Sequence, residues 1–147
     1  MGHILTEYVD GIVTVTIENE KKLNAWDGAM RRRFIAVFDE LARDPECRAV
    51  VLTGAGDKAF CAGGDIAEVS AFDPNQVEGA MGGYEQAFDA LWRFQKPVVA
   101  AVRGVAAGSG FQLSMLCDLI VAHPEARFGQ PELRSGLASI TGSWIIA

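Results

Sequence analysis

Cysteine is scarce and poorly placed for a structural role: Cys47, Cys61 and Cys117 are an odd number, and no two share a C-x-x-C spacing. Neither a disulfide framework nor a zinc site is supported. Histidine is scarcer still. His3 and His123 lie far apart and outside any ligand motif, so no metal site is expected. Positive charge is in deficit, with 13 Lys and Arg against 19 Asp and Glu and a net charge of −6. A nucleic-acid binder would show a basic face. The one basic run, Arg31-Arg32-Arg33, sits in a helical pattern and reads first as a solvated face. No apolar run approaches the length of a membrane span, and no secretory h-region opens the chain. The expectation is a cytoplasmic protein that engages neither membrane nor nucleic acid. Low-complexity segments, linkers and domain boundaries are also missing. What remains, half hydrophobic and 22% charged over 147 residues, suits a single domain, 1–147, with a modest core.

Against these absences, two stretches stand out. Pro97 to Val102 (PVVAAV) is a short, continuously apolar run, the pattern of a strand buried on both faces. It breaks at Arg103-Gly104, passes through Val-Ala-Ala and meets Gly108-Ser109-Gly110. The apolar residues Phe111, Leu113, Met115 and Leu116 then suit a helix. A buried strand feeding a glycine-rich turn and a helix aims backbone N–H groups at whatever binds there. Gln112 lies just inside that helix. Ala49 to Thr53 (AVVLT) is a second such run, followed by a glycine-rich loop from Gly54 to Gly64 and then Asp65-Ile66. Two units of this kind can supply two convergent N–H donors. Paired donors hold a developing oxyanion, and loss of one typically raises a barrier by roughly 2.7–4 kcal/mol.

The rest of the chain reads as alternating strands and helices. Ile4 to Val9 and Ile12 to Ile17 alternate around Asp10-Gly11, the strongest short hairpin signal. Asn19 to Asn24 is a polar loop. Asp27 is placed to cap a helix to about Arg43, with Met30, Phe34, Val37, Phe38 and Leu41 as its apolar stripe; Asp44-Pro45 ends it. A short helix follows from about Ile66. Phe72 to Asn75 is a break, with Pro74 placed to start a helix to about Phe94. That helix would bury Val77, Met81, Tyr84, Phe88, Leu91 and Trp92, although Gly79, Gly82 and Gly83 each weaken it by about 1 kcal/mol relative to alanine. Leu119 to Ala122 reads as a strand, Pro131 to Arg134 as a turn of helix, and Thr141 as the start of a last apolar helix.

Five pieces in order resemble the crotonase superfamily, the enoyl-CoA hydratases and isomerases. They are Lys22-Leu23-Asn24-Ala25, Lys58 to Ile66 (KAFCAGGDI), Lys96 to Val102 with the glycines after it, Met115-Leu116-Cys117-Asp118, and Phe128-Gly129-Gln130-Pro131-Glu132. The resemblance implies an α/β spiral of β-β-α units acting on acyl-CoA thioesters through an enolate held in a backbone oxyanion hole. Coenzyme A enters as part of the substrate, so no separate cofactor is expected. By the same resemblance the oxyanion donors are the N–H groups of Cys61 and Ser109, and the Cys61 thiol is not a nucleophile. Substrate contacts are implied for Lys22, Ala25, Ala59, Cys61, Ala62, Gly63, Gly64, Asp65, Ile66, Gly108, Ser109 and Pro131. The adenine end falls to Ala59, Asp65 and Ile66, and the phosphates to Lys22. Glu132 is the implied proton-transfer residue, since desolvation beside an acyl pocket suits a carboxylate to exchange protons with carbon near neutral pH.

Two positions depart from the family pattern. Serine replaces the usual glycine at 109. Gln112 stands where family hydratases carry a second glutamate; an amide can orient a water molecule but cannot take its proton. The expected chemistry is therefore double-bond isomerisation or hydration by a single glutamate. Family members also continue past this point with helices that close the pocket and build a trimer or hexamer. The chain is thus expected to be truncated at its C-terminus, and to associate with itself or with a complementary C-terminal fragment. Two other classes stay open: a non-catalytic acyl-CoA-binding paralogue, and a dinucleotide-binding oxidoreductase. The latter rests on Gly54-Ala55-Gly56-Asp57-Lys58-Ala59, which fits G-x-G-x-x-A after a strand, with Glu78 near the position of a ribose-binding acid.

Overall fold

A computed structural model describes residues 2–71, 77–132 and 145. The hairpin forms as read, with β1 (His3–Val9) antiparallel to β2 (Ile12–Glu18). Asp10 and Gly11 both take positive φ, +49° and +78°, as a two-residue turn matched to strand twist requires. The crossover helix α1 (Gly28–Arg43) then leads to β3 (Ala49–Gly54), parallel to β2. Asp27 caps α1 by accepting from the Met30 N–H at 2.9 Å.

From β3 onward the chain winds. β3 lies at the middle of a five-stranded sheet, next to β2, and β4 (Ala59–Cys61) begins a second sheet of three strands. After α2 (Ile66–Ser70) and α3 (Val77–Trp92), β5 (Val98–Val102) returns to the large sheet and β6 (Val105–Ala107) to the small one. After α4 (Ser109–Leu116), β7 (Leu119–Ala122) and β8 (Arg127–Gly129) repeat the step. Each turn advances one position in both parallel ladders, which is the expected spiral of β-β-α units.

The core lies between the large sheet and the helices. Val13, Val15 and Ile17 of β2, Val50 and Leu52 of β3, and Val98, Ala100 and Val102 of β5 join the α1 stripe in one buried cluster. In β5 the alternate residues Val99 and Ala101 are only half-buried, so one face is fully covered rather than both. On α3 the buried stripe is Tyr84, Ala87, Phe88 and Leu91. Met81 and Trp92, expected inside, are exposed at 39% and 63%. Trp92 is turned about 100° past Leu91, and Met81 lies on the turn before the stripe begins. Two family motifs prove to be struts. Lys96 Nζ donates to the carbonyls of Leu41 and Asp44 at 2.6 Å each, satisfying the end of α1. Asp118 Oδ2 accepts from the Val98 N–H at 2.7 Å and ties the end of α4 to β5.

The small sheet is the main correction to the sequence reading. Both glycine-rich stretches contain a three-residue strand, β4 and β6, and a third, β8, precedes Gln130. Such strands are too short and too rich in small residues to show a period of two. β4 also removes the basis for a dinucleotide unit. A strand stands where that unit needs a helix, and Glu78 falls within α3 rather than at a strand end. The expected break at 72–75, the Pro74 helix start, the Val77 side chain, the helical turn beyond Glu132 and the helix from Thr141 lie outside the described residues.

Candidate functional site

Two glycine turns face each other where β4 and β6 end. Gly63 (φ +102°) and Gly108 (φ +54°) both hold conformations that side chains disfavour. A Cβ on Gly63 would lie 3.0 Å from the Ala107 carbonyl and 3.6 Å from the Ser109 nitrogen. A Cβ on Gly108 would lie 3.0 Å from Glu132 Oε1 and 3.9 Å from the Gly63 Cα. The first turn, the start of α4 and the Glu132 carboxylate therefore converge within contact distance.

Following the backbone donors shows which are committed. Ala62 N–H donates to Leu23, Asp65 N–H to Trp26, Gly108 N–H to Gly129 and Gln112 N–H to Gly108. Among the described residues, the N–H groups of Gly63 and Gly64 in the first turn and of Ser109, Gly110 and Phe111 at the start of α4 have no backbone acceptor. Ser109 is the first residue of α4, where orphan donors and the positive end of the helix dipole coincide. Cys61 is placed differently from the expectation. It sits inside β4 in register with Ala106, fully buried, its carbonyl 2.1 Å from where a Cβ on Gly110 would stand. Gly64, three residues on, is only half-buried. Burial pushes the Cys61 thiol up to about 12, which keeps it protonated and a poor nucleophile.

Serine at 109 leaves the site side of the turn unobstructed. Its hydroxyl turns inward and accepts from the Trp26 indole N–H at 2.9 Å. Gln112, 5% exposed, places its Nε2 3.3 Å from Glu132 Oε1. The other carboxylate oxygen of Glu132, Oε2, is buried and has no partner among the described residues. A carboxylate oxygen held out of bulk water without a donor can accept a hydrogen bond from a ligand.

The implied coenzyme A strip divides by exposure. Lys22, Leu23 and Ile66 are open, Leu23 at 42% and Ile66 at 80%. Ala25 and Ala59 are buried, and Ala62 is half-buried. Asp65 caps α2 by accepting from Ala67 N–H at 3.0 Å, and its second oxygen takes the Lys22 ammonium. Lys22 thus marks the edge of this strip already paired. Pro131 is exposed next to Glu132.

Four site residues escaped the sequence reading. Asn24 (φ +57°, buried) accepts from Asn19 N–H and donates to the carbonyls of Ala55 and Ala59, clamping the loop before β4. An asparagine in the motif is the signal that could have found it. Trp26 links both turns, as its bond to Ser109 and its backbone pairing to Gly63 and Asp65 show. Arg31, expected on a solvated face, is only 3% exposed. It pairs with Glu68 at 2.9 Å, donates to the Trp26 carbonyl, and lies 3.9 Å above the Tyr84 ring. Arg32 and Arg33 do face solvent. Tyr84 Oη stands 2.1 Å from where a Cβ on Gly64 would be, so only glycine fits beneath it.

Among the described residues no group of three or more His, Cys, Asp or Glu could hold a metal ion, and no helix is long and apolar enough to cross a membrane. A groove of about 830 Å³ lined by Asp57, Lys58, Arg103, His123, Glu125 and Arg127 lies at the entry end of β6 and β8. That is the opposite end from the glycine turns, and its lining mixes charges of both signs.

Residues 7–147 match the family described as "Enoyl-CoA hydratase/isomerase". A short-chain-enoyl-CoA hydratase from Clostridium acetobutylicum is 39% identical over 139 residues, covering 93% of this chain and 52% of that protein. A carnitinyl-CoA dehydratase from Proteus mirabilis is 36% identical over 135 residues, covering 90% and 50%. A crystal structure of an enoyl-CoA hydratase from a Polaromonas species superposes with a TM-score of 0.92 at 32% identity, over 99% of this chain and 58% of that one. The chain spans about half the length of the curated relatives it matches.

Proposed function

Because the chain belongs to the enoyl-CoA hydratase/isomerase family, we propose that its facing glycine turns receive the carbonyl oxygen of an acyl-CoA thioester, and that Glu132 moves a proton on the acyl chain. The observation that carries this is the approach of the Gly63 turn to Gly108, Ser109 and the Glu132 carboxylate, with the N–H groups of Gly64 and Ser109 lacking a backbone acceptor among the described residues. Donors fixed on folded backbone need no reorganisation as charge builds on the thioester oxygen. Gly64 takes the part first given to Cys61, because the Cys61 amide is enclosed in β4.

Glu132 then has one task, to remove a proton beside the enolate system and return it to another carbon. Gln112 holds that carboxylate from one side and can orient a water without deprotonating it. The reaction favoured is double-bond isomerisation, with slow hydration as its companion. The coenzyme A arm lies along Lys22, Leu23, Asp65 and Ile66, where exposed apolar surface adjoins a lysine. Coenzyme A belongs to the substrate and no other cofactor is invoked. The assembly in this reading is a homo-oligomer, a trimer or hexamer.

The test is equilibrium binding of crotonyl-CoA and of NAD, together with turnover of crotonyl-CoA by native protein and by Ser109→Pro. Proline fits the first helical position and removes an N–H that the helix does not use, together with the hydroxyl bonded to Trp26, so Ser109→Ala is its control. Crotonyl-CoA bound and turned over, NAD ignored, and turnover lowered roughly 10²-fold or more by proline is the expected pattern. Binding without turnover would mark a non-catalytic acyl-CoA-binding protein. Full activity in Ser109→Pro would refute the donor assignment.

A further inference from the structure

We propose that Trp26 is a positioning residue that sets the separation between the two oxyanion donors, holding one turn through its backbone and the other through its indole. This rests on the reading of Gly64 and Ser109 as those donors. Trp26 N–H donates to the Gly63 carbonyl at 3.0 Å, and the Trp26 carbonyl accepts from Asp65 N–H at 3.0 Å. These two bonds bracket Gly64 and fix the plane of its peptide. The indole N–H then crosses the core to Ser109 Oγ at 2.9 Å. One residue therefore touches both turns.

The indole bond matters because of what flanks Ser109. Glycines at 108 and 110 leave its backbone unusually free, and Gly108 holds φ +54°. A catalytic constellation must be kept within about 0.5 Å and 10–20° of productive geometry by groups that are themselves locked. Ser109 supplies the handle a glycine could not. Its hydroxyl is 8% exposed with the residue, and it points to the indole rather than to the site. Trp26 is itself immobile: it is fully buried, edge-on to Phe34 with ring centres 5.6 Å apart and to Tyr84 at 6.2 Å. The serine that departs from the family pattern and the tryptophan after Ala25 thus form one device.

Two variants separate this from simple packing. Trp26→Phe keeps an aromatic ring and both backbone bonds but removes the indole donor. Ser109→Ala keeps the amide but removes the acceptor. Each should lower kcat on crotonyl-CoA roughly tenfold, the scale of one lost hydrogen bond expressed in the transition state, with KM little changed. The double variant should be no worse than the poorer single one. A second readout needs no turnover: butyryl-CoA labelled with ¹³C at its thioester carbon cannot be isomerised or hydrated. Bound to native protein, its carbonyl resonance should move downfield as the oxygen accepts two hydrogen bonds, and that displacement should shrink in both variants. If butyryl-CoA binds native protein and both variants with the same displacement, and kcat is unaltered, Trp26 is structural only and the proposal is overturned while the donor assignment stands. If native protein shows no displacement, the donor assignment fails and this inference with it.

Discussion

Gln112 Nε2 stands 3.3 Å from Glu132 Oε1, so an amide from α4 holds the one carboxylate at the facing glycine turns. Replacing that amide by a second carboxylate changes the chemistry available without changing its position. Glutamate at 112 would set a second carboxylate beside that of Glu132. The pair could then hold and deprotonate a water, which glutamine cannot do.

Gln112→Glu should therefore raise the rate of water addition to 2-enoyl-CoA. General-base assistance is typically worth roughly 10²–10⁴-fold, and an increase of about tenfold or more would be decisive. Rates measured by loss of the conjugated thioester absorbance give the answer. An unchanged hydration rate in Gln112→Glu, with native protein already fast, would remove the single-carboxylate argument.

Gly64 and Tyr84 make a second pair. A Cβ at position 64 would fall 2.1 Å from Tyr84 Oη and 3.2 Å from Tyr84 Cζ. Burial pushes the Tyr84 hydroxyl up to about 12, so it remains a neutral O–H. Gly64→Ala should destabilise the fold by about 1–3 kcal/mol through overpacking and depress turnover. Tyr84→Phe clears the closest atom, so Gly64→Ala with Tyr84→Phe should recover most of that stability. Urea midpoints of the four proteins test the cycle, and strict additivity would show that the two positions do not meet.

Asp65 ties stability to pH. The Lys22 hydrogen bond above all holds its carboxyl below the usual carboxylate range; partial burial acts in the opposite direction, and Ala67 N–H adds to the lowering. The folded state therefore binds fewer protons at this site than the unfolded chain does. Its contribution is present above the unfolded value of about 4 and is lost as pH falls through the lower folded value. Lys22→Met removes the leading cause. Its stability deficit against native protein should be largest near neutral pH and should vanish in acid. A deficit independent of pH would show that Lys22 acts through packing alone.

The large sheet and α1 were legible because they obey simple periods. The Asp10-Gly11 hairpin, the Asp27 cap and the stripe from Met30 to Leu41 each carry a local signal. The small sheet was not legible, since Ala59–Cys61, Val105–Ala107 and Arg127–Gly129 are three residues long and read as parts of glycine loops. β4 encloses Cys61, which is why the proposed first donor is Gly64 in its place. Trp26 and Arg31 were missed for another reason. Their partners, Ser109 and Glu68, lie 83 and 37 residues away, and no spacing rule reaches that far. Gln112 and Glu132, by contrast, were both marked in the sequence, and the fold brings them into contact.

The most direct measurement incubates native protein and Glu132→Gln with 2-enoyl- and 3-enoyl-CoA thioesters and follows the products by mass. Native protein should interconvert the positional isomers without change in mass faster than it adds the mass of a water, and Glu132→Gln should do neither. Rapid gain of a water by the native protein, or turnover that persists in Glu132→Gln, would contradict the account.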